Sequence, residues 1–174
     1  MANCTSYTLS GLNAGCKDSV GGVAKIWLAD SASVTWTIDS NYIAVPSATS
    51  AFKVYNLRRG SASMTSTLTV NENAGSYFTT EIAMNFLKME TAKRIEVMAM
   101  LMGQTTGIVK DNNGKYWAIG VEHALEGSAG TAESGTAASD ANQYTVTISV
   151  DEAELPYEIT DATTIAALEA IEVA

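Results

Sequence analysis

The stretch VKDNNGKYWAIG, residues 109–120, decides the fold class of this chain. Two short runs of strand-forming residues flank a polar turn that contains Asn113 and Gly114. Asn-Gly is the dipeptide that best tolerates the positive φ angles of a two-residue type I′ turn, whose twist matches that of paired strands. We therefore predict a β-hairpin in which Lys110 lies opposite Trp117.

Further segments with strand character lie before the hairpin. Residues 21–30 and 33–39 alternate apolar and polar side chains, as half-buried strands do, and we expect them to pair around Asp30. Residues 51–59 and 62–70 are predicted to form another antiparallel pair. Residues 75–89 fit a strand and a helix equally, so their type stays open.

After the hairpin, residues 123–143 form an excursion rich in Gly, Ala, Ser and Thr that is longer than an ordinary hairpin loop. Strand character resumes at 143–159, where four apolar side chains share one face: Tyr144, Val146, Ile148 and Val150. The excursion is therefore expected to lie inside a sheet, and its composition suits a segment that becomes ordered against a neighbour.

Two segments have helical periodicity. Residues 90–104 place four apolar side chains on one stripe, with Gly103 as the expected end of the helix: Ala92, Ile95, Ala99 and Met102. The second half of this helix is apolar on nearly all sides, which indicates that it is enclosed in the fold or partly covered by another subunit. A short C-terminal helix is predicted from the spacing of Ile165, Leu168 and Ile171.

These patterns predict a single domain, residues 1–174, of mainly β class. The expected architecture is an antiparallel β-sandwich or barrel with one flanking helix, a short C-terminal helix and long loops. Apolar residues make up 47% of the chain and charged residues only 17%, which suggests a surface partly covered by other protein. The N-terminus lacks the pattern of a signal peptide, so the chain is expected to be soluble and made in a cytoplasm, which for a phage protein is that of the bacterial host.

Charge is divided unevenly along the chain. All ten Lys and Arg residues lie within 1–116, whereas residues 117–174 carry eleven of the nineteen acidic residues and no cation. Binding to a nucleic-acid backbone needs cations that displace counterions, so the C-terminal third is predicted not to attract DNA. The carboxylates Asp151, Glu152 and Glu154 are interpreted as part of a solvated acidic face.

Catalytic and metal chemistry is poorly supported by the sequence. His123 is the only histidine and lies beside the long excursion, and Cys4 and Cys16 have no second Cys pair nearby. We therefore predict no catalytic residues, no cofactor and no metal. The three tryptophans, Trp27, Trp36 and Trp117, are interpreted as core or interface anchors, with a sugar-binding site as the alternative.

Five features follow one another along the chain. The motifs CKDSVGGVAKIWLAD at 16–30 and VKDNNGKYWAIGVEH at 109–123 come first, the Gly/Thr-rich excursion comes next, and the segments YTVTIS and ELPYEI come last. This order resembles small structural proteins of phages that infect Bacteroidetes, and the layout is similar to the phage tail tube protein class and to inner tubes of contractile injection machines. The resemblance implies a helix within 81–104. It also implies arms between subunits at 40–50 and 123–143, with the N-terminal segment 1–20 as another.

The resemblance implies a tail tube subunit that forms stacked hexameric rings in the virion and contacts other tail proteins, while DNA passes without specific binding and no membrane is entered. The expected subunit contacts are Arg58, Arg59, Met98, Met102, Trp117 and His123. The expected acidic lumen or ring-face residues are Glu126, Glu133, Asp140, Asp151, Glu152 and Glu154. Alternatives are a capsid decoration or head-tail joining protein, and a carbohydrate-binding sandwich.

Overall fold

A computed structural model describes residues 11–12, 18–39, 43–71 and 75–171 of the chain. The fold is mainly β with antiparallel sheets and two helices, which confirms the predicted fold class. The strands are β1 (Val23–Asp30), β2 (Trp36–Ile38), β3 (Ala44–Pro46), β4 (Lys53–Asn56), β5 (Ala62–Asn71), β6 (Gly75–Leu87), β7 (Thr105–Asp111), β8 (Tyr116–Ile119), β9 (Glu126–Glu133), β10 (Gln143–Glu152) and β11 (Tyr157–Ile159). The helices are α1 (Thr91–Met102) and α2 (Ala162–Glu169).

Two sheets form the body of the protein. The first sheet has the strand order β11-β8-β7-β1-β4, and the second has the order β5-β6-β10-β9. One hydrophobic cluster lies between the sheets and α1, and it includes Ile26, Ile82, Met100 and Ile148. A second cluster covers the other face of the first sheet beneath α2 and includes Trp27, Phe52 and Leu168. The first sheet is therefore buried on both faces, which explains the nearly continuous burial of β1 and β7.

The hairpin at 109–120 is present, but its register differs from the prediction by one residue. Lys110 pairs with Tyr116, and Val109 pairs with Trp117. The turn has three residues, because Asp111 N–H donates to the Lys115 carbonyl and Gly114 N–H donates to the Asp111 carbonyl. Of the turn residues only Gly114 has a positive φ, at 80°, as in a type I turn followed by a glycine bulge.

Two strand pairings predicted from the sequence are wrong. Residues 31–33 form a 3-10 turn, so β1 pairs with β4 and β7, whereas β2 pairs with β3. The bend at Arg58–Ser61 carries the chain from one sheet to the other, so β4 and β5 do not pair with each other. Alternation shows which face of a strand is buried, but it does not identify the neighbouring strand.

The predicted helix at 90–104 is confirmed as α1. Residues 75–89, which fitted a strand and a helix equally, form the strand β6. The helix that the resemblance placed within 81–104 thus begins only at Thr91. The side of the helix that enters the core carries Val97 and Met100, whereas Ile95 and Met102 of the predicted apolar stripe are exposed. Because the second half of this helix is apolar on nearly all sides, the spacing of its apolar residues does not indicate which face is buried.

The predicted C-terminal helix is confirmed as α2. Asp161 caps it by accepting the Thr164 N–H at 2.7 Å. The helix is held on the first sheet by Glu169, whose carboxylate accepts hydrogen bonds from Lys25 at 2.6 Å and from Lys110 and Tyr116 at 2.7 Å each. Burial alone would raise the pKa of Glu169, but the bonds from Lys110, Lys25 and Tyr116 lower it to about 2.

Candidate functional site

The second sheet has one face in the core and one face whose side chains are exposed or half-exposed, apart from Thr147 at 9%. We call the latter the outward face. Strand register assigns to it Ser63, Thr65, Thr67 and Thr69 of β5; Tyr77, Thr79, Glu81, Ala83, Asn85 and Leu87 of β6; Gln143, Thr145, Thr147, Ser149 and Asp151 of β10; and Glu126, Ala129, Thr131 and Glu133 of β9. Hydroxyl side chains predominate.

The outward face carries four carboxylates and no Lys or Arg: Glu81, Glu126, Glu133 and Asp151. Among the residues that the structure describes, none of the four forms an ion pair. Asp151 accepts a hydrogen bond from the Thr79 hydroxyl at 2.6 Å, and Glu126 accepts one from the Gln104 amide at 3.0 Å. A surface of hydroxyls and unpaired carboxylates stays hydrated and repels phosphate.

The second sheet ends in two edge strands. Within the sheet, β5 pairs only with β6 and β9 only with β10, so each leaves a row of backbone N–H and C=O groups without a strand partner. Neither strand contains Lys or Pro, the residues that commonly prevent edge-to-edge association. All residues of β9 are exposed. These two edges are therefore candidates for pairing with further strands.

Two glycines hold β9 close to α1. A Cβ atom at Gly127 would lie 2.3 Å from the Leu101 carbonyl oxygen, and one at Gly130 would lie 2.5 Å from Leu101 Cδ1. These contacts explain why a segment poor in strand formers becomes a strand, since it is fixed by β10 on one side and by the helix beneath it. Part of the predicted arm at 123–143 thus belongs to the sheet, while its role in subunit contacts stays a prediction.

The two ends of the second sheet differ in charge. Arg58 and Arg59 precede β5 at the end where Leu87, Gln143 and Glu133 lie side by side, and Lys88 follows β6 there. Lys88 pairs with Glu90 at this end.

At the opposite end of the second sheet, β10 finishes with Asp151 and Glu152, and Glu154 follows. Among the described residues that flank this end of β10, the charged side chains are all carboxylates. The end with Arg58, Arg59 and Lys88 also carries Glu133 and Glu90, whereas the described charged residues of the other end are carboxylates alone, so the sheet has a direction that a stacked copy can recognise.

Five of the six predicted acidic residues separate into three groups. Glu126, Glu133 and Asp151 lie on the outward face. Asp140 lies in the loop after β9, where backbone N–H groups of Ala137 and Thr136 bind its carboxylate and lower its pKa. Half-buried Glu154 accepts a hydrogen bond from the Tyr157 hydroxyl at 3.1 Å, and burial raises the pKa of Tyr157.

The prediction that Glu152 belongs to an acidic surface is wrong. Its side chain is only 3% exposed, because alternation along β10 turns it inward while Asp151 points outward. The Glu152 carboxylate accepts backbone N–H bonds from Val121 at 2.6 Å and Glu122 at 3.0 Å. Burial raises the pKa of Glu152, and these hydrogen bonds oppose that shift.

The predicted contact residues lie mostly at the surface. Arg58, Arg59, His123, Met98 and Met102 are exposed, and Trp117 is half-buried. They lie on different elements, with Met98 and Met102 on α1, Arg58 and Arg59 before β5, and His123 before β9. Of the other tryptophans, Trp27 is fully buried and Trp36 donates to the Thr106 hydroxyl, so a sugar site that uses all three is not formed.

The hydroxyl-rich outward face and Glu81 were not predicted from the sequence. The alternation of Ser63, Thr65, Thr67 and Thr69 with Met64 and Leu68 in β5 was the available signal. It was interpreted only as a strand pattern. The arrangement of one polar face along four strands needed the register of the whole sheet.

Metal-binding groups are not found in the described part of the chain. No group of three His, Cys, Asp or Glu side chains there could hold a metal ion, and no hydrogen bond joins His123 to another described residue. None of the described helices has the length and apolar character needed to cross a membrane. Comparison with protein-family models, curated proteins and solved structures found no match to this chain.

Proposed function

We propose that this protein is the structural subunit of a tube through which DNA passes, as the tail tube of a phage does. The observation that carries the proposal is the outward face, which combines hydroxyls with four carboxylates and has no Lys or Arg. A conduit for a polyanion must not retain it. A lining of this chemistry repels phosphate weakly along its whole length and offers no cation for binding.

The strand count supports a closed ring of copies. The second sheet has four strands that alternate in direction, so β5 and β9 run in opposite directions. When a copy is rotated about an axis along the strands, its β5 therefore meets the previous β9 antiparallel. Cylinders of about 16 or more strands leave an open channel, so rings of four or more copies have a bore. Six copies satisfy this condition.

The charge difference along the sheet supports stacking of rings. Arg58 and Arg59 lie at one end, together with Glu133, and Asp151 and Glu154 lie at the other, so head-to-tail stacking places the end that carries cations against the end whose described charged residues are all carboxylates. A heterologous contact of this kind repeats without limit and produces a tube. A head-tail joining protein, by contrast, would form single rings.

Electron microscopy of the purified protein tests the assembly. We expect rings and stacks of rings with a central bore, and stacking that weakens as salt is raised. Single rings alone would favour the joining protein, and monomers at every salt and protein concentration would contradict the proposal.

A charge reversal tests the lining itself. Glu81→Lys places a cation on the outward face, whereas Asp18→Lys changes the net charge equally at an exposed position outside both sheets. We expect assembled Glu81→Lys protein to retain duplex DNA in a gel-shift assay at low salt, and Asp18→Lys and wild-type assemblies not to retain it. Equal DNA retention by both variants would contradict a lining role for the outward face.

A further inference from the structure

The helix α1 carries an apolar stripe that nothing in the described chain covers. Ile95, Met98 and Met102 are 59%, 45% and 80% exposed, and their spacing of three and four residues puts them on one side of the helix. We call these three residues the α1 stripe. Exposed apolar side chains that occur singly are ordinary, but three on one helix side indicate a contact surface.

The direction of the α1 stripe follows from the helix geometry. Leu101 points at Gly127 and Gly130 of β9, while Val97 and Met100 point into the core. At about 100° per residue, the stripe lies on the side of α1 opposite to Val97 and Met100. Because β9 is the edge strand, the stripe projects beyond the edge of the sheet on its core side.

A second uncovered apolar surface lies at the other edge of the same sheet. Leu68 and Val70 of β5 share a face with Met64, which packs on the core, yet they are 51% and 71% exposed. We call Leu68 and Val70 the β5 patch. It lies on the core side of the sheet, as the α1 stripe does, so both surfaces face away from the outward face.

We infer that the α1 stripe of one copy packs against the β5 patch of the adjacent copy, beneath the joint between β9 and β5. This inference rests on the proposed function, because it needs copies that join edge to edge. When β5 of a second copy adds to β9 of the first copy, the second sheets of the two copies become continuous. Their core sides then lie on the same side of the joined sheet. Leu68 and Val70 then lie where the α1 stripe projects, and each surface covers the other.

Charge identifies the occupant as a second copy. Antiparallel addition of β5 to β9 brings the start of β5 to the end of β9. Exposed Arg58 and Arg59 precede the start of β5, and exposed Glu133, which has no Lys or Arg partner among the described residues, ends β9. At one end of the joint, Arg58 and Arg59 of one copy thus lie near Glu133 of the other. Along the length of the joint, the α1 stripe lies against the β5 patch.

Disulfide trapping between two different chains tests the contact. In a background with Cys4→Ser and Cys16→Ser, a chain carrying Met102→Cys is mixed with a chain carrying Leu68→Cys, and the mixture is oxidised after assembly. We expect a cross-linked dimer on non-reducing gels. The matched control replaces Leu68→Cys by Thr67→Cys, whose side chain lies on the outward face of the same strand, and we expect no dimer.

The outcomes separate the inference from the proposed function. Rings seen by electron microscopy that give no Met102–Leu68 cross-link, or an equal Thr67 cross-link, overturn the inference and leave the proposed function standing. A protein that stays monomeric in sedimentation overturns both. A chain that carries Met102→Cys and Leu68→Cys together is expected to give a ladder whose upper limit counts the copies in the ring.

A charge placed in the contact provides a second measurement. Met102→Asp should weaken ring formation at least about tenfold, because a carboxylate would be buried without a partner. Val45→Asp adds the same charge at an exposed apolar position on β3, in a separate two-stranded sheet, and should leave ring formation unchanged. Both side chains are exposed in the single copy, so circular dichroism should show both variants folded. Equal association of the two variants contradicts the inference.

Discussion

Glu169→Gln is expected to loosen α2 from the first sheet. The carboxylate of Glu169 accepts three hydrogen bonds, from Lys25 at 2.6 Å and from Lys110 and Tyr116 at 2.7 Å each. Its side chain is 31% exposed, so solvent screens these bonds, and each is worth less than a buried bond to a charged group. We expect a loss of about 2 kcal/mol in the free energy of unfolding, or about 4–8 °C in melting temperature for a chain of this size.

The stabilisation by Glu169 depends on pH, and its lowered pKa sets the direction of that dependence. The pKa of Glu169 is about 2 in the folded protein and 4.5 ordinarily, so its stabilisation is fully present above pH 4.5 and is lost as the pH falls towards 2. The difference between wild type and Glu169→Gln should therefore be constant from pH 5 to 7 and shrink below about pH 4.5.

Urea unfolding followed by tryptophan fluorescence is a suitable assay, because Trp27 Nε1 donates to the Leu168 carbonyl at 3.1 Å and reports on the position of α2. The matched control is Glu158→Gln, which removes a carboxylate with a single lysine partner, Lys115 at 2.6 Å. Its expected loss is under about 1 kcal/mol. Equal losses for the two variants, or a Glu169→Gln loss that persists unchanged at pH 3, would refute the reasoning.

Two further predictions concern β9 and Glu152. Gly127→Ala should displace β9 from α1 and destabilise the protein by about 1–3 kcal/mol, because the new Cβ would meet Leu101 backbone atoms. The control Ser128→Ala should destabilise it by under about 1 kcal/mol. Hydrogen exchange of the β9 amides should increase only in Gly127→Ala. Burial raises the pKa of Glu152 and so favours its protonated form in the fold, and we expect wild type to lose stability as the pH rises above 4.5. Glu152→Gln should remove this loss. Equal changes in the free energy of unfolding of the two proteins from pH 4 to 8 would contradict this.

Local patterns in the sequence predicted most of the elements but not their neighbours. The hairpin at 109–120, the helix α1, the strand β10 and the helix α2 each follow from periodicity and from turn or capping residues within the element. The partners of β1 and β4 do not, because residues far apart in the chain decide which strand lies beside them. The one-residue register error arose at Asp111, whose side chain accepts the backbone N–H groups of Asn113 and Lys115.

The candidate site was predictable only in part. The acidic bias of residues 117–174 indicated carboxylates at the surface, and Glu126, Glu133 and Asp151 do lie on the outward face. Glu152 could not be distinguished from Asp151 without the phase of β10, since adjacent residues of a strand point to opposite sides. Glu81 lies within residues 1–116, which carry all ten cations, so the acidic bias of residues 117–174 did not indicate it.

The four-stranded width of the second sheet has a consequence for size in the proposed ring. Strands lie about 4.8 Å apart, so each copy adds about 19 Å to the circumference before any tilt of the strands. At a fixed strand tilt, the bore can then change only in steps of one whole copy. Selection for a wider or narrower passage would therefore act on the angle at which β5 meets β9, while the lengths of the strands would stay free to set the height of each ring.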